Sequence, residues 1–152
     1  MSEPQVRVGV GAFVFREGKF LMQQRKGSHG QGSWSVPGGH LEYGETPEIT
    51  SAREVMEETG MEVANTKFAA VTNDYFEQEG KHYVTLWTIS DWTKNEPSIT
   101  EPEKCTGQLW VDFDMLPDPL FLPWTQLLKS DFIDDIKKEL ERTKTKGADY
   151  EV

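Results

Sequence analysis

The chain is poor in cysteine. Cys105 is the only one among 152 residues, so no intrachain disulfide can form and cysteine-rich metal sites are excluded. Long apolar runs are missing too. None approaches the roughly 18 residues of a membrane span, and Met1 to Arg7 has no apolar signal core. Basic charge is scarce: 16 Lys and Arg stand against 26 Asp and Glu, a formal net charge of −10. That balance repels nucleic-acid backbones and anionic membranes. A small polyanionic substrate would meet the same repulsion, so a phosphorylated one needs divalent cations to mediate its binding. The expectation is a soluble, cytoplasmic protein with no nucleic-acid or membrane partner. What is present suits one globular domain over residues 1–152: 36% hydrophobic and 28% charged residues.

Val6, Val8, Val10, Ala12 and Val14 alternate with other residues, and Phe13 and Phe15 add apolar side chains on the opposite face. This predicts a strand covered on both faces. Glu17-Gly18 is a turn, and Lys19 to Gln24 returns as a hairpin. Gly27 to Gly32 is a loop, Ser33 to Val36 a short strand, and Pro37-Gly38-Gly39 breaks regular structure. Thr46 is an N-cap with Pro47 at the first helical position, and Gly60 stops that helix. Phe68 to Phe76 and His82 to Ser90 read as a second hairpin. Lys94 to Lys104 reads as a loop and Gln108 to Asp112 as a strand. Trp124 to Lys129 and Phe132 to Leu140 read as helices, and residues 143–152 as a mobile tail. The order implies an α+β domain, or a layered α/β/α one, with a mixed sheet.

The central helix carries the chemistry. At 100° per residue, Ile49, Ala52, Val55, Met56 and Thr59 share one arc, the expected docking face. Glu54, Glu57 and Glu58 share the opposite arc, within about 100° of one another. Spacing alone fits a solvated acidic face or a hard-cation site equally well. Mg²⁺ takes oxygen ligands and keeps several waters, so a few carboxylates and substrate phosphates suffice. Gly38-Gly39 leaves the backbone open, so a carbonyl there can join the shell. Arg53 can pair with Glu57 or reach back to Glu45, a structural support for the loop.

Gly39 to Met61 reads GHLEYGETPEITSAREVMEETGM. This resembles the Nudix box, G-x5-E-x7-R-E-U-x-E-E-x-G-U with U a bulky aliphatic residue. Gly39, Glu45, Arg53, Glu54, Glu57, Glu58 and Gly60 fill its fixed positions, and Val55 and Met61 the bulky ones. The stretches RKGSHGQGSWSVPGGHLEYGET, HYVTLW, EPEKC and LPDPLF are similar to the subgroup of mammalian MutT-like nucleotide diphosphatases and plant cytosolic Nudix hydrolases. The resemblance covers roughly residues 6 to 130. It implies an α/β/α sandwich with a mixed sheet, and hydrolysis of a nucleoside diphosphate linked to another group.

On that resemblance, Gly39, Glu54, Glu57 and Glu58 hold Mg²⁺, with Mn²⁺ as a substitute. Glu103 joins from across the cleft, with Glu101 as its rival. Glu54, Glu57 and Glu58 are the catalytic set. Glu57 or Glu58 is foremost a metal ligand and Glu54 a ligand or the general base. Arg25, Gly38, His40, Thr85 and Phe121 are the substrate-binding candidates, Arg25 for phosphate, Thr85 and Phe121 for a base. Phe13, Val36 and Leu116 are further pocket candidates, while His29 and His82 are expected to take no catalytic part. Trp87, Trp92, Trp110 and Trp124 are read as packing or interface residues. Markers of the NADH, ADP-ribose and coenzyme A subgroups are absent. The expected reaction is a nucleoside triphosphate, such as an oxidised purine, cleaved to monophosphate and pyrophosphate. A prenyl diphosphate is the alternative substrate, and a non-catalytic nucleotide-binding domain the alternative class. A homodimer is expected.

Overall fold

The computed structural model describes residues 3–150, with side chains described up to residue 144. The first strand, β1 (Val6–Arg16), turns at Glu17 and Gly18 into β2 (Lys19–Arg25), pairing Phe15 with Phe20. Both turn residues have positive φ, 50° and 81°, the primed-turn geometry that suits a twisted hairpin. Beyond the turn the two strands diverge. The gap is filled by β3 (Trp34–Ser35), which pairs with β2, and β4 (Gly38–His40), which pairs Gly9 with His40 and Gly11 with Gly38. Two long strands follow the central helix: β5 (Glu62–Phe76) and β6 (Lys81–Lys94), joined by a 3-10 turn at Glu77–Glu79. β5 starts six residues earlier than the predicted Phe68 and ends at Phe76 as predicted, while β6 extends beyond the predicted His82 to Ser90 at both ends. β6 runs parallel to β1 from Val6↔His82 to Phe15↔Asp91 and antiparallel to β5. β7 (Cys105–Val111) lies antiparallel on β2. The sheet is mixed, in the order β3-β2-β1-β6-β5.

Both faces of β1 are covered, as its pattern predicts. Phe13 and Phe15 join Phe20, Trp87 and Trp124 in the larger core, under α2 (Leu122–Lys129) and α3 (Ile133–Tyr150). Ala12 and Val14 join Leu21, Val55 and Met61 under α1 (Pro47–Thr59). The result is an α/β/α sandwich. Trp87, Trp124, Phe13 and Phe20 are essentially inaccessible, and truncating any one of them should cost about 3–5 kcal/mol. Trp92 and Trp110 pack against the smaller core. No helix among the described residues is long and apolar enough to cross a membrane.

Two expectations need correction. The buried face of α1 is Thr50, Ser51, Val55 and Thr59, whereas Ile49 is 55% and Met56 42% exposed. Hydrogen bonds make the polar face the better one to bury. Thr50 Oγ1 donates to Glu45 at 2.7 Å, Ser51 Oγ meets Thr88 Oγ1 at 2.6 Å, and Thr59 Oγ1 donates to the Val55 carbonyl at 2.6 Å. The segment 143–150, expected as a tail, continues α3; residues 151–152 lie outside the described residues. Thr143 anchors that continuation by accepting the Gly18 N–H at 2.7 Å.

Candidate active site

A cleft of about 430 Å³ opens where β1 has no side chains on its larger-core face. Phe13 and Phe15 fill that face at one end of the strand; Gly9 and Gly11 leave it bare at the other. Thr85 and Trp87 of β6 complete the floor beside them. A Cβ on Gly11 would stand 2.8 Å from Trp87 Cε3, so glycine is required for this close approach. Phe13 belongs to the core, and Leu116 packs against it; neither lines the cleft, while Val36 does.

One wall is acidic. Glu54 and Glu58 project into the cleft from α1. The Gly38 N–H donates to Glu58 Oε2 at 2.9 Å, and Gly39 lies so close to the Glu54 carboxylate that a Cβ there would overlap it. Burial pushes the Glu58 carboxyl up to about 8, with the charges of Glu54 and Glu101 adding to the effect. Burial also raises Glu54, although Arg53 opposes the shift. Arg53 is the hub of the loop–helix junction. It grips Glu45 with two bonds of 2.9 Å and also reaches Glu54 at 2.9 Å and Glu57 at 3.2 Å. The Glu45 carboxyl falls to about 2, first because of its bonds to Arg53 and then to Thr50. Both structural pairings anticipated for Arg53 are therefore present.

Glu57 points away from the cleft toward Arg53 and is about half exposed. The acidic partner across the cleft is Glu101. Ser98 N–H donates to the Thr59 carbonyl at 2.9 Å, and Thr100 Oγ1 donates to the Glu57 carbonyl, so this loop is tied to the end of α1. The tie delivers Glu101 and Lys104 to the cleft and leaves Glu103 exposed outside it. Glu103, expected in the metal shell, does not line the cleft.

The opposite wall is aromatic. Arg25 lies over the Phe121 ring at 4.0 Å, and its Nε donates to the His29 carbonyl at 3.1 Å. Burial lowers its affinity for the proton, and the Glu58 charge partly restores it. The His29 ring packs on Phe76 at 4.6 Å, Tyr83 at 5.5 Å and Phe121 at 5.2 Å, and its Nδ1 meets Glu79 at 2.6 Å. His40 Nε2 meets Tyr83 OH at 3.0 Å, and burial lowers its pKa, so it is neutral at pH 7. His29, expected to be an idle loop histidine, is thus part of the wall. Tyr83 alternates with Thr85 on β6 and lines the same cleft, a placement that the period of two in HYVTLW signals. His82 bonds Asn73 outside the cleft.

The NUDIX domain model matches residues 5–132. The chain belongs to the NUDIX family. This Nudix chain is 32% identical over 100 residues to an 8-oxo-dGTP diphosphatase of Proteus vulgaris, covering 63% of this chain and 85% of that enzyme. It is 31% identical over 114 residues to the NAD-capped RNA hydrolase NudC of Erwinia tasmaniensis, covering 75% of this chain but only 41% of that protein. The crystal structure of a MutT NUDIX hydrolase from Burkholderia pseudomallei superposes with a TM-score of 0.75 at 30% identity, over 82% of this chain and 98% of that one.

Nudix hydrolases generally use divalent metal ions, and the cleft suits one. Glu54 and Glu58 are hard oxygen donors whose charged forms are disfavoured by burial, a cost that a cation would relieve. Among the described residues no three acidic, histidine or cysteine side chains form a closed metal-binding group. Arg53 holds Glu57 and one oxygen of Glu54.

Proposed function

We propose that this Nudix chain is a Mg²⁺-dependent hydrolase, with Mn²⁺ as a substitute, that converts a nucleoside triphosphate to its monophosphate and pyrophosphate. One observation carries the reading. A single cleft joins two upshifted carboxylates and a half-buried arginine to an aromatic wall with a polar threonine at its floor. Its size is within the range of small-molecule sites. The relation to an 8-oxo-dGTP diphosphatase supports an oxidised or otherwise modified purine as the substrate.

Glu54, Glu58, the Gly39 carbonyl and Glu57, once released from Arg53, are the oxygen donors for Mg²⁺, with Glu101 from the facing loop. When bound, Mg²⁺ neutralises phosphate charge and acidifies a coordinated water. Glu54, which lines the cleft, is our choice of base for the attacking water. Arg25 binds phosphate oxygens with its planar fork while Phe121 holds its other face. Neutral His40 serves as a hydrogen-bond partner rather than a cation. Phe121, Phe76 and Tyr83 offer rings on which a planar base can stack.

The polar floor favours a nucleotide over a prenyl diphosphate. A hydrocarbon chain laid on Thr85 would leave polar atoms without partners. Digestion of dGTP and geranyl diphosphate in Mg²⁺ buffer, with chromatography of the products, tests this. Monophosphate and pyrophosphate are expected from dGTP. Orthophosphate as the first product contradicts the linkage choice, and preferential cleavage of geranyl diphosphate contradicts the substrate class. Association as a homodimer is proposed too. Ile49 and Met56 on α1, and Phe68 and Val71 on β5, are exposed apolar side chains that a second copy would cover. Light scattering should then show about twice the 17.4 kDa chain mass.

A further inference from the structure

β5 and β6 bring four residues together on the face that floors the cleft: Thr72, Asp74, Thr85 and Trp87. Trp87 Nε1 donates to Thr72 Oγ1 at 3.0 Å, and Thr72 Oγ1 donates to Asp74 Oδ2 at 2.9 Å. Thr85 Oγ1 donates to the same Asp74 oxygen at 2.7 Å. Asp74 is completely buried, and its Oδ1 has no hydrogen-bond partner among the described residues. It does not line the cleft; Thr85 does.

The direction of this chain follows from its first member. An indole N–H can only donate, so Thr72 accepts from Trp87 and sends its single proton to Asp74. Oδ2 then accepts twice, and the Thr85 proton is the second one it receives. Burial raises the Asp74 pKa, opposed by the two hydroxyl bonds. The unpartnered Oδ1 can take a proton without disturbing the acceptor role of Oδ2. Thr85 is left with lone pairs alone for the cleft, and Gly9 beside it has no side chain to cover them. A Cβ on Gly9 would lie 4.0 Å from Thr85 Oγ1.

We propose that Asp74 fixes the hydroxyl polarity of Thr85 and so makes the floor of the cleft select substrates that present an N–H donor. Asp74 acts as a positioning residue and Thr85 as the specificity-determining contact. The inference rests on the nucleotide reading above. It narrows the substrate class to bases carrying an N–H on the edge that meets Thr85; guanine and hypoxanthine qualify, and unsubstituted purine does not. A site built to receive a donor rejects the analogue that lacks one, because its own polar group is left unpaired.

The test compares kcat and KM for GTP, inosine triphosphate and purine riboside triphosphate. Wild type should favour GTP and inosine triphosphate over the purine analogue by at least ~10-fold in kcat/KM. Asp74→Asn, which keeps an acceptor oxygen, should preserve that ratio. Asp74→Leu frees the Thr85 proton to turn into the cleft, and the ratio should collapse to within about threefold, mainly through KM. Thr85→Ser should hold the ratio and Thr85→Val should lose it, a comparison that stands even if Asp74→Leu does not fold. A folded Asp74→Leu or Thr85→Val protein with the wild-type ratio overturns the proposal. So does a wild type that cleaves all three equally, although the nucleotide reading then survives. If wild type cleaves no nucleoside triphosphate, the nucleotide reading fails and this proposal fails with it.

Discussion

Replacing Glu58 with glutamine removes a buried charge but keeps an oxygen to accept the Gly38 N–H, 2.9 Å away. The metal-free protein should become more stable as a result, by an amount that grows as pH rises from about 4.5 to about 8. The Glu58 carboxyl sits at about 8 in the folded chain against an ordinary 4.5. Below the unfolded value both states are protonated, and the folded state keeps its full advantage. As pH rises toward 8, the unfolded chain gives up its proton first, so wild-type stability declines across that interval and levels off above it. At about 1.4 kcal/mol per unit the ceiling is about 5 kcal/mol; water penetration on ionisation should reduce the effect to about 2–4 kcal/mol. For a chain of this size that corresponds to a melting shift on the order of 10 °C. Asp74 also has a raised value, but none of its causes involves Glu58 and it cancels in the difference; Cys105 is raised first by burial and only in smaller part by the Glu58 charge. The assay is thermal or urea unfolding of wild type and Glu58→Gln at pH 5, 7 and 9 with a chelator present. The curves should meet near pH 5 and separate by pH 9, with the variant more stable. Added Mg²⁺ should then stabilise wild type more than the variant. A separation that does not vary with pH would refute the reasoning.

Glu54→Gln should lower turnover by at least ~10²-fold while the protein stays folded; near-wild-type rates at limiting Mg²⁺ would remove Glu54 from the site. Glu101→Gln should raise the Mg²⁺ concentration for half-maximal turnover by about tenfold or more, since losing even an outer-shell partner costs about 10–100-fold, while Glu103→Gln behaves as wild type. The opposite ranking would return the role to Glu103. Arg25→Ala and Phe121→Ala should be non-additive in kcat/KM by about 1 kcal/mol, since the ring and guanidinium hold each other in place. Additive losses would show that their contact plays no part in binding.

The sequence was most legible where one short segment sets both structure and chemistry. Thr46, Pro47 and Gly60 bound the helix, and Arg53, Glu54 and Glu58 lie within about one and a half turns on it, so caps and periodicity located the acidic wall. Side-chain choice within that frame was less legible. Glu57 lies only 60° from Glu54 on an ideal wheel, yet Arg53 holds it outside the cleft. Glu101 and Glu103 differ by two residues in an irregular loop, and Thr100 and Ser98, bonded to the end of α1, decide which one enters. Ranking by hydrophobicity put Ile49 and Met56 against the sheet because it takes no account of hydroxyl pairs such as Ser51 with Thr88. His29 was hidden for a related reason. Its loop has no periodicity, and only the fold brings it to Phe76 and Tyr83.

The bare end of β1 also has a bearing on redesign. Its two glycines are unequal. A methyl on Gly11 would collide with Trp87, whereas one on Gly9 would meet Tyr83 at 3.7 Å and the Gly39 carbonyl at 3.9 Å, both ordinary contacts. Position 9 is therefore an adjustable stop and position 11 a fixed one. Alanine or serine at position 9 would shorten the floor by about one carbon without moving the metal-side glutamates. Preference among large and small bases could then be graded at a residue that carries no chemistry of its own.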